Sequence, residues 1–114
     1  MTALRSNFEM PASGTQGFSL LGSVYAGTKA KEFEQCLQSI EDQILAPNQV
    51  VVVLDGPVDV DVQKVLHSFS SRLPLHTVAL SDNQGLGRAL SAGLEHCSHN
   101  FVARFDTDDV CLKN

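Results

Sequence analysis

Short apolar runs recur along the chain and predict four buried β-strands. The runs cover Phe18–Val24, Val50–Leu54, Pro74–Leu80 and Phe101–Phe105. The second run, Val-Val-Val-Val-Leu, has no alternation between apolar and polar positions. Continuous apolar runs suit strands that are covered on both faces, as in parallel sheets. The runs therefore favour a parallel sheet inside a layered domain.

Between these runs, apolar residues recur at the spacing of amphipathic helices. The first helix is predicted within Lys31–Leu45 and ends before Pro47, which cannot continue it. The second begins at Asp59, a plausible N-cap. The predicted apolar stripes consist of Phe33, Cys36, Leu37, Ile40 and Ile44; of Val62, Val65, Leu66 and Phe69; and of Leu86, Ala89, Leu90, Gly93, Leu94 and Cys97.

The resulting order, βαβαβαβ, predicts a Rossmann-like α/β fold with about four parallel strands and helices on both faces. The carboxyl ends of parallel strands meet at one edge of the sheet. Residues 23–25, Asp55 and residues 106–109 follow three of the predicted strands. We therefore expect them to lie close together although they are distant in sequence.

The last predicted strand ends abruptly in Asp106, Asp108 and Asp109. Divalent cations such as Mg²⁺ take carboxylate oxygens together with phosphate oxygens of a substrate. In open α/β sheets, ligands bind at the carboxyl ends of strands. The Asp-x-Asp pattern of Asp106 and Asp108 therefore predicts a site for a divalent cation such as Mg²⁺. The alternative is a charged turn in which Asp109 caps a helix.

Composition predicts a single folded unit with neither a nucleic-acid partner nor a transmembrane segment. The chain has 114 residues, of which 43% are hydrophobic, and a net charge of −5, whereas nucleic-acid footprints are basic. The three cysteines lack metal-ligand spacing and suggest no disulfide framework, which favours a reducing, cytoplasmic setting. No apolar stretch approaches the roughly 18 residues of a membrane span. Residues 1–17 have no periodicity and no signal-peptide character, and they are predicted to form a flexible tail or a segment that lies over the domain.

Four blocks of the sequence resemble the nucleotide-sugar-binding half of a family 2 glycosyltransferase with the GT-A fold. They are Ser23-Val-Tyr25, Val52-Val-Leu-Asp55-Gly-Pro, Asn83-Gln-Gly-Leu-Gly-Arg-Ala-Leu-Ser-Ala-Gly93 and Ala103-Arg-Phe-Asp106-Thr-Asp-Asp109. The resemblance covers residues 18–114. The Asp-Gly-Pro variant is most similar to bacterial enzymes that build exopolysaccharide or lipopolysaccharide.

The resemblance implies roles for five residues. Ser23 and Tyr25 match the loop that holds the nucleotide base, with Tyr25 offering a ring for stacking. Asp55 matches the carboxylate that recognises the base. Asp106 matches a residue that contacts the ribose or the metal, and Asp108 one that coordinates the metal through the diphosphate. A UDP-sugar is the expected donor, with Mn²⁺ or Mg²⁺ as cofactor.

Some positions leave alternatives open. Leu54 stands where many relatives carry an acidic residue, and Ala26 stands where an asparagine usually follows the aromatic residue. Tyr25 could instead cover the core, and Asp55 could serve only the turn before Pro57. The resemblance places the block from Asn83 beneath the donor, but this block is not a P-loop, because no Gly-Lys-Ser/Thr follows its glycines.

Two basic side-chain types allow other interpretations. Arg104 could orient a carboxylate or could be a plain surface cation. His96 and His99 have the spacing for two zinc ligands on a helix end, but no third ligand follows with regular spacing. A solvated helix end is the preferred interpretation of these histidines.

The resemblance implies direct displacement at the anomeric carbon, with a cation at the leaving diphosphate and a separate carboxylate as general base. In the family that base lies well beyond the Asp-x-Asp motif, so we expect a donor-binding half that is inactive alone. The alternatives are a non-catalytic nucleotide-binding or dimerising domain, and a phosphoacceptor receiver domain. A receiver needs an acidic pair where this chain has Tyr25-Ala-Gly. In the resembled fold strand 101–105 is internal, with flanking strands that this chain does not contain, so the resemblance also implies an unpaired edge that we expect a homodimer to cover.

Overall fold

The computed structural model describes residues 17–107, so residues 1–16 of the predicted tail 1–17 and residues 108–114 lie outside the described part. Within it, strands and helices alternate strictly. The elements are β1 (Phe18–Val24), α1 (Ala30–Glu41), β2 (Gln49–Leu54), α2 (Val60–Phe69), β3 (Leu75–Ala79), α3 (Leu86–Leu94) and β4 (Phe101–Arg104). All four predicted strands and all three predicted helices are present, with bounds that differ by a few residues.

The four strands form one parallel sheet in the order β3-β2-β1-β4. Val24 at the end of β1 is in register with Leu54 at the end of β2, and Leu54 is in register with Ala79 at the end of β3. Leu21 pairs with Arg104 of β4. The carboxyl ends of all four strands therefore face the same side of the molecule.

Helices cover both faces of the sheet, as predicted. Alternate residues of a strand point to opposite faces. Val50 and Val52 pack in the cluster shared with α1 and α2, whereas Val51 and Val53 pack in the cluster shared with α3. All four valines are fully buried. The unbroken apolar run at β2 is thus explained by burial from two sides.

The helix α3 lies close to the sheet at Gly93. A Cβ atom placed on Gly93 would come within 2.5 Å of Leu21 Cδ1 and of Val53 Cγ2. Such distances are far below contact distance, so only glycine permits this approach. The packing of this glycine fixes how deeply α3 sits over β1 and β2.

The first helix is shorter than predicted. It ends at Glu41 rather than near Leu45, and Asp42 follows as C-cap with its N–H donating to the Gln38 carbonyl. Ile44 is 79% exposed and does not join the buried stripe. Pro47 disfavours helix in the residue before it, and the chain leaves the helix before reaching that residue.

The third apolar stripe is also only partly buried. Ala89 and Gly93 are buried and Leu90 packs against the cluster that contains Ala89, but Leu86 and Leu94 are 51% and 53% exposed. The predicted apolar stripe is wider than the part of the α3 surface that the sheet covers. The second stripe is confirmed, as is the Asp59 cap, whose carboxylate accepts the Val60 N–H at 3.1 Å.

Among the described residues, no helix has the length and apolar character needed to cross a membrane.

Candidate functional site

A cleft of about 720 Å³ opens at the carboxyl edge of the sheet. The chain runs from β1 outward to β3 and then returns to place β4 on the other side of β1. Ligands in open α/β sheets bind where the strand order reverses in this way. The cleft is lined by Ser23, Tyr25, Gly27, Thr28, Lys29, Glu32, Asp55, Asn83, Gly85, Leu86, Arg104, Asp106 and Thr107. The four predicted nucleotide-binding residues are therefore brought together, whereas Asp108 lies outside the described residues.

The loop after β1 presents Tyr25 to the cleft. The Tyr25 N–H donates to Thr28 Oγ1 at 3.0 Å, and the Thr28 N–H donates back to the Tyr25 carbonyl at 3.0 Å. The Tyr25 ring lies over Gly27, where a Cβ atom would come within 2.6 Å of Tyr25 Cε2 and would displace the ring. Tyr25 is 52% exposed, so its ring belongs to the wall of the cleft and does not fill the core.

Asp55, at the end of β2, is almost fully buried and holds the loop before α3. Its Oδ1 accepts the Gln84 N–H at 2.7 Å and its Oδ2 accepts the Gly85 N–H at 3.1 Å. The Asn83 amide donates to the Asp55 carbonyl oxygen at 3.3 Å. The carboxylate thus does more than shape the turn before Pro57. An ionised carboxylate has about four acceptor positions, so these contacts leave capacity for a ligand.

Asp106 follows β4 and faces the cleft as a half-exposed carboxylate. Arg104 Nη2 donates to Asp106 Oδ1 at 3.1 Å. Of the two interpretations of Arg104, this contact favours the one in which it orients a carboxylate over a plain surface cation. The buried Cys36 thiol of α1 donates to the Asp106 carbonyl at 3.6 Å. Both the side chain and the backbone of Asp106 therefore have partners that define its position.

The cleft carries charges of both signs. Lys29 and Arg104 bring cations, and Glu32, Asp55 and Asp106 bring carboxylates. The cations suit a polyanionic part of a ligand, and the carboxylates suit its hydrogen-bond donors. A purely acidic or purely basic cleft would suit only one of these two parts.

Three residues near the start of α1 line the cleft but were not predicted from the sequence: Thr28, Lys29 and Glu32. Their position in the sequence, directly after the loop that follows β1, could have indicated that they line the cleft. The helix was predicted to begin at Lys31, whereas Lys29 is the N-cap and α1 begins at Ala30. Helix entry at the edge where strands end brings these side chains into the cleft.

The donor set for a divalent cation is only partly within the described residues. In residues 17–107 no three His, Cys, Asp or Glu side chains converge as a complete metal site. Asp106 offers carboxylate oxygens to the cleft, and Mg²⁺ commonly uses one or two carboxylates, with water and substrate phosphate completing its shell. Asp106, and Asp108 two positions later in the sequence, are therefore of the right chemical type for a cation shared with a phosphorylated ligand.

His96 and His99, which were considered as zinc ligands, contact different residues near the amino ends of the strands, on the side of the sheet away from the cleft. His96 Nδ1 lies 3.2 Å from Nε2 of His76, near the start of β3. His99 Nδ1 lies 3.1 Å from Oγ of Ser19, near the start of β1. This arrangement agrees with a helix end rather than with a zinc site built from His96 and His99.

Residues 24–114 match the family model described as Glycosyl transferase family 2. The chain belongs to this family. The match begins at the last residue of β1 and includes the ends of β2 and β4, so it contains most of the cleft.

Two curated relatives illustrate the similarity. The chain is 50% identical over 95 residues to the amylovoran biosynthesis glycosyltransferase AmsE of Erwinia amylovora, covering 83% of this chain and 36% of AmsE. It is 35% identical over 100 residues to the UDP-Gal:alpha-D-GlcNAc-diphosphoundecaprenol beta-1,3-galactosyltransferase of Escherichia coli, covering 88% of this chain and 36% of the enzyme. The chain therefore spans little more than a third of the length of these relatives.

Solved structures confirm the fold. S. aureus TarS 1–349 in complex with UDP-GlcNAc superposes with a TM-score of 0.71 and 26% identity, over 81% of this chain and 26% of TarS. The mannosyltransferase PcManGT of Pyrobaculum calidifontis, in complex with GDP-Man and Mn²⁺, gives a TM-score of 0.68 at 22% identity, over 83% and 29% of the two chains. The predicted α/β architecture of GT-A type is thus shared with glycosyltransferases.

Proposed function

We propose that this chain is the donor-binding part of a glycosyltransferase that transfers a sugar from a nucleotide-sugar to an acceptor in bacterial surface polysaccharide synthesis. The observation that carries the proposal is the meeting of Tyr25, Asp55 and Asp106 in one cleft at the carboxyl ends of β1, β2 and β4. Membership in glycosyl transferase family 2 and the amylovoran relative support the reaction class and the biological setting.

The nucleotide base would lie between the β1 loop and the end of β2. The half-exposed Tyr25 ring offers an apolar face, and stacking on aromatic rings is a common way to hold a base. The Asp55 carboxylate has acceptor capacity left for a donor group of the base. A UDP-sugar is the proposed donor, which the UDP-Gal and UDP-GlcNAc named for two relatives support.

The diphosphate would lie toward β4. Lys29 and Arg104 line the cleft there as cations, and Asp106 with Asp108 would hold Mn²⁺ or Mg²⁺. A bound cation neutralises charge on the departing nucleoside diphosphate. The chain's own residues hold the donor: Arg104 keeps the Asp106 carboxylate turned into the cleft through its 3.1 Å hydrogen bond.

The proposal also covers the cellular compartment of the chain and its assembly into a dimer. The three cysteines lack the spacing of a disulfide framework, which suits a reducing cytoplasm. The described part of β4 pairs only with β1, and Phe101 at its start is 37% exposed. We propose that the 114-residue polypeptide covers this edge by forming a homodimer.

Calorimetric titration with UDP in the presence and absence of Mn²⁺ tests the donor site. We expect wild type to bind UDP more tightly with Mn²⁺, and Asp108→Ala to remove the metal-dependent part because it removes a charged oxygen ligand. Asp61→Ala, a substitution of an exposed carboxylate on α2, is the matched control and should bind as wild type does. Equal metal-dependent binding by wild type and Asp108→Ala would contradict the assignment.

A further inference from the structure

Residues 25–28 form a turn after β1 that two reciprocal hydrogen bonds close. The Thr28 N–H donates to the Tyr25 carbonyl, and Thr28 Oγ1 accepts the Tyr25 N–H, both at 3.0 Å. Thr28 is buried, so water competes little for these hydrogen bonds. The backbone on which the Tyr25 side chain stands is therefore fixed, and the ring changes position only by rotation about its own side-chain bonds.

Gly27, in the middle of this turn, leaves room for the ring. A Cβ atom on Gly27 would lie 2.6 Å from Cε2 and 2.7 Å from both Cζ and Oη of Tyr25. Those distances are far below van der Waals contact. The backbone does not require glycine here, because among the described glycines only Gly56 and Gly85 have a positive φ. An alanine at position 27 would therefore suit the turn but would exclude the ring from its present position.

The ring in this position is part of the wall of the cleft. Tyr25, Gly27 and Thr28 all line the cleft, and Tyr25 is 52% exposed. One part of the side chain thus lies against the turn, while the other part is open to a flat ligand. A ring that is already held in place loses less conformational freedom when a ligand stacks on it, which strengthens binding.

We infer that Gly27 is a positioning residue, which by its lack of a side chain lets the Tyr25 ring lie against the turn as a preformed stacking surface for the nucleotide base. In the competing interpretation, Gly27 is only an exposed turn residue, and ligand binding alone sets the position of the ring. The stacking part of this inference rests on the proposed function, but the placement of the ring on the turn does not.

Tyrosine fluorescence of the nucleotide-free protein tests the placement of the ring. The chain has one tyrosine and no tryptophan, so the signal comes from Tyr25 alone. Gly27→Ala displaces the ring from the turn, and we expect acrylamide to quench its fluorescence more efficiently than in wild type. Gly87→Ala adds the same methyl group in α3, where a Cβ meets no atom within 4 Å, and should leave the quenching unchanged. Equal quenching of wild type and Gly27→Ala would overturn the inference.

Calorimetric titration with UDP and with inorganic pyrophosphate, both in the presence of Mn²⁺, measures what the ring position contributes to binding. Pyrophosphate shares the diphosphate but has no base to stack. We expect Gly27→Ala to weaken UDP binding about fivefold or more, the lower end of what stacking of one base contributes, and to leave pyrophosphate binding unchanged. Unchanged UDP binding would overturn the inference. Equal weakening of both ligands would overturn it as well, because it would show a general disturbance of the cleft.

Tyr25→Ala shows whether Gly27 acts through the ring. Without the ring, a methyl group at position 27 has nothing to displace, so Gly27→Ala should cause no further loss of UDP affinity in the Tyr25→Ala protein. Additive losses in the double variant would count against the inference. If wild type bound no UDP, the proposed function would fail, while the fluorescence quenching would still decide whether Gly27 places the ring.

Discussion

The ring of Phe105 occupies the space that a side chain on Gly22 would need. A Cβ atom on Gly22 would come within 2.6 Å of Phe105 Cζ. Phe105 is 1% exposed, and its N–H donates to the Leu21 carbonyl at 3.0 Å. Because Gly22 has no side chain, Phe105 can pack against β1. Asp106 follows Phe105 directly, so this packing determines where the Asp106 carboxylate enters the cleft.

We expect Gly22→Ala to destabilise the protein and to displace the residues after β4. Adding a methyl group to a closely packed core typically costs about 1–3 kcal/mol. Chemical denaturation should show that loss, and calorimetry should show weaker Mn²⁺-dependent UDP binding because Asp106 moves. Gly87→Ala, where a Cβ meets no atom within 4 Å, controls for the general effect of the substitution. Unchanged stability of Gly22→Ala would show that Phe105 can move aside at little cost.

The parts of the fold that depend on local pattern were predictable from the sequence. The unbroken run of valines in β2 indicated burial on both faces, and each valine from Val50 to Val53 is fully buried. Parallel strands then required the carboxyl ends to meet, so the approach of Asp55 to Asp106 in one cleft followed from topology alone. The family resemblance added the identity of the chemistry.

What the sequence did not reveal are contacts between distant residues. The partners of Asp55 lie 29 and 30 positions away, and no local pattern shows that its carboxylate would bind backbone N–H groups there. The end of α1 was misplaced for a related reason. Ile40 and Ile44 have helical spacing, but spacing does not show whether another element is present to cover the second residue.

Glu41 and Arg72 connect α1 to the residues after α2, and this pair predicts a pH dependence of stability. Arg72 Nε donates to Glu41 Oε2 at 3.1 Å, and its guanidinium also lies 4.1 Å from the centre of the Phe69 ring. The hydrogen bond from Arg72 lowers the pKa of Glu41 below its ordinary value of 4.5. A carboxylate with a lowered pKa in the folded state stabilises the fold fully above its unfolded pKa and loses that effect as the pH falls through its folded pKa.

We therefore expect Glu41→Gln to melt at a lower temperature than wild type at neutral pH, with the difference shrinking as the pH falls below 4.5. Thermal unfolding followed by circular dichroism across this range measures it. The effect should be small because the pair is partly solvated. Glu95→Gln, an exposed substitution beyond α3, should show no such convergence. A difference in melting temperature that persists undiminished in acid would contradict the prediction.

The 114-residue polypeptide is expected to bind a donor nucleotide without transferring its sugar. In the resembled family the general base lies beyond the Asp106-x-Asp108 motif, and the chain covers 36% of the length of AmsE. Acid–base help and positioning of the acceptor together account for many orders of magnitude in rate. Incubation of the purified polypeptide with UDP-sugars and lipid-linked acceptors should give no glycosylated product by mass spectrometry. Formation of such a product would disprove the expectation, whereas slow hydrolysis of the donor would not.

Self-association of the same polypeptide is expected from the edge of the sheet at β4. Within residues 17–107, β4 pairs with β1 on one side and with no strand on the other. Exposed strand edges invite pairing with a second chain, and apolar side chains beside them strengthen the contact. Phe101, at the start of β4, is 37% exposed. A two-fold dimer would cover this edge in both copies and is the commonest closed assembly.

Light scattering at micromolar concentrations tests the dimer. We expect a mass near twice the 12.3 kDa of one chain, falling toward the monomer on dilution. Phe101→Lys should shift the equilibrium toward the monomer, because a charge on an edge strand opposes pairing. Val60→Lys places the same charge on an apolar residue of α2 that is 58% exposed, and it should leave the dimer intact. A monomer at every concentration would exclude the dimer, and equal dissociation by both variants would place the interface away from β4.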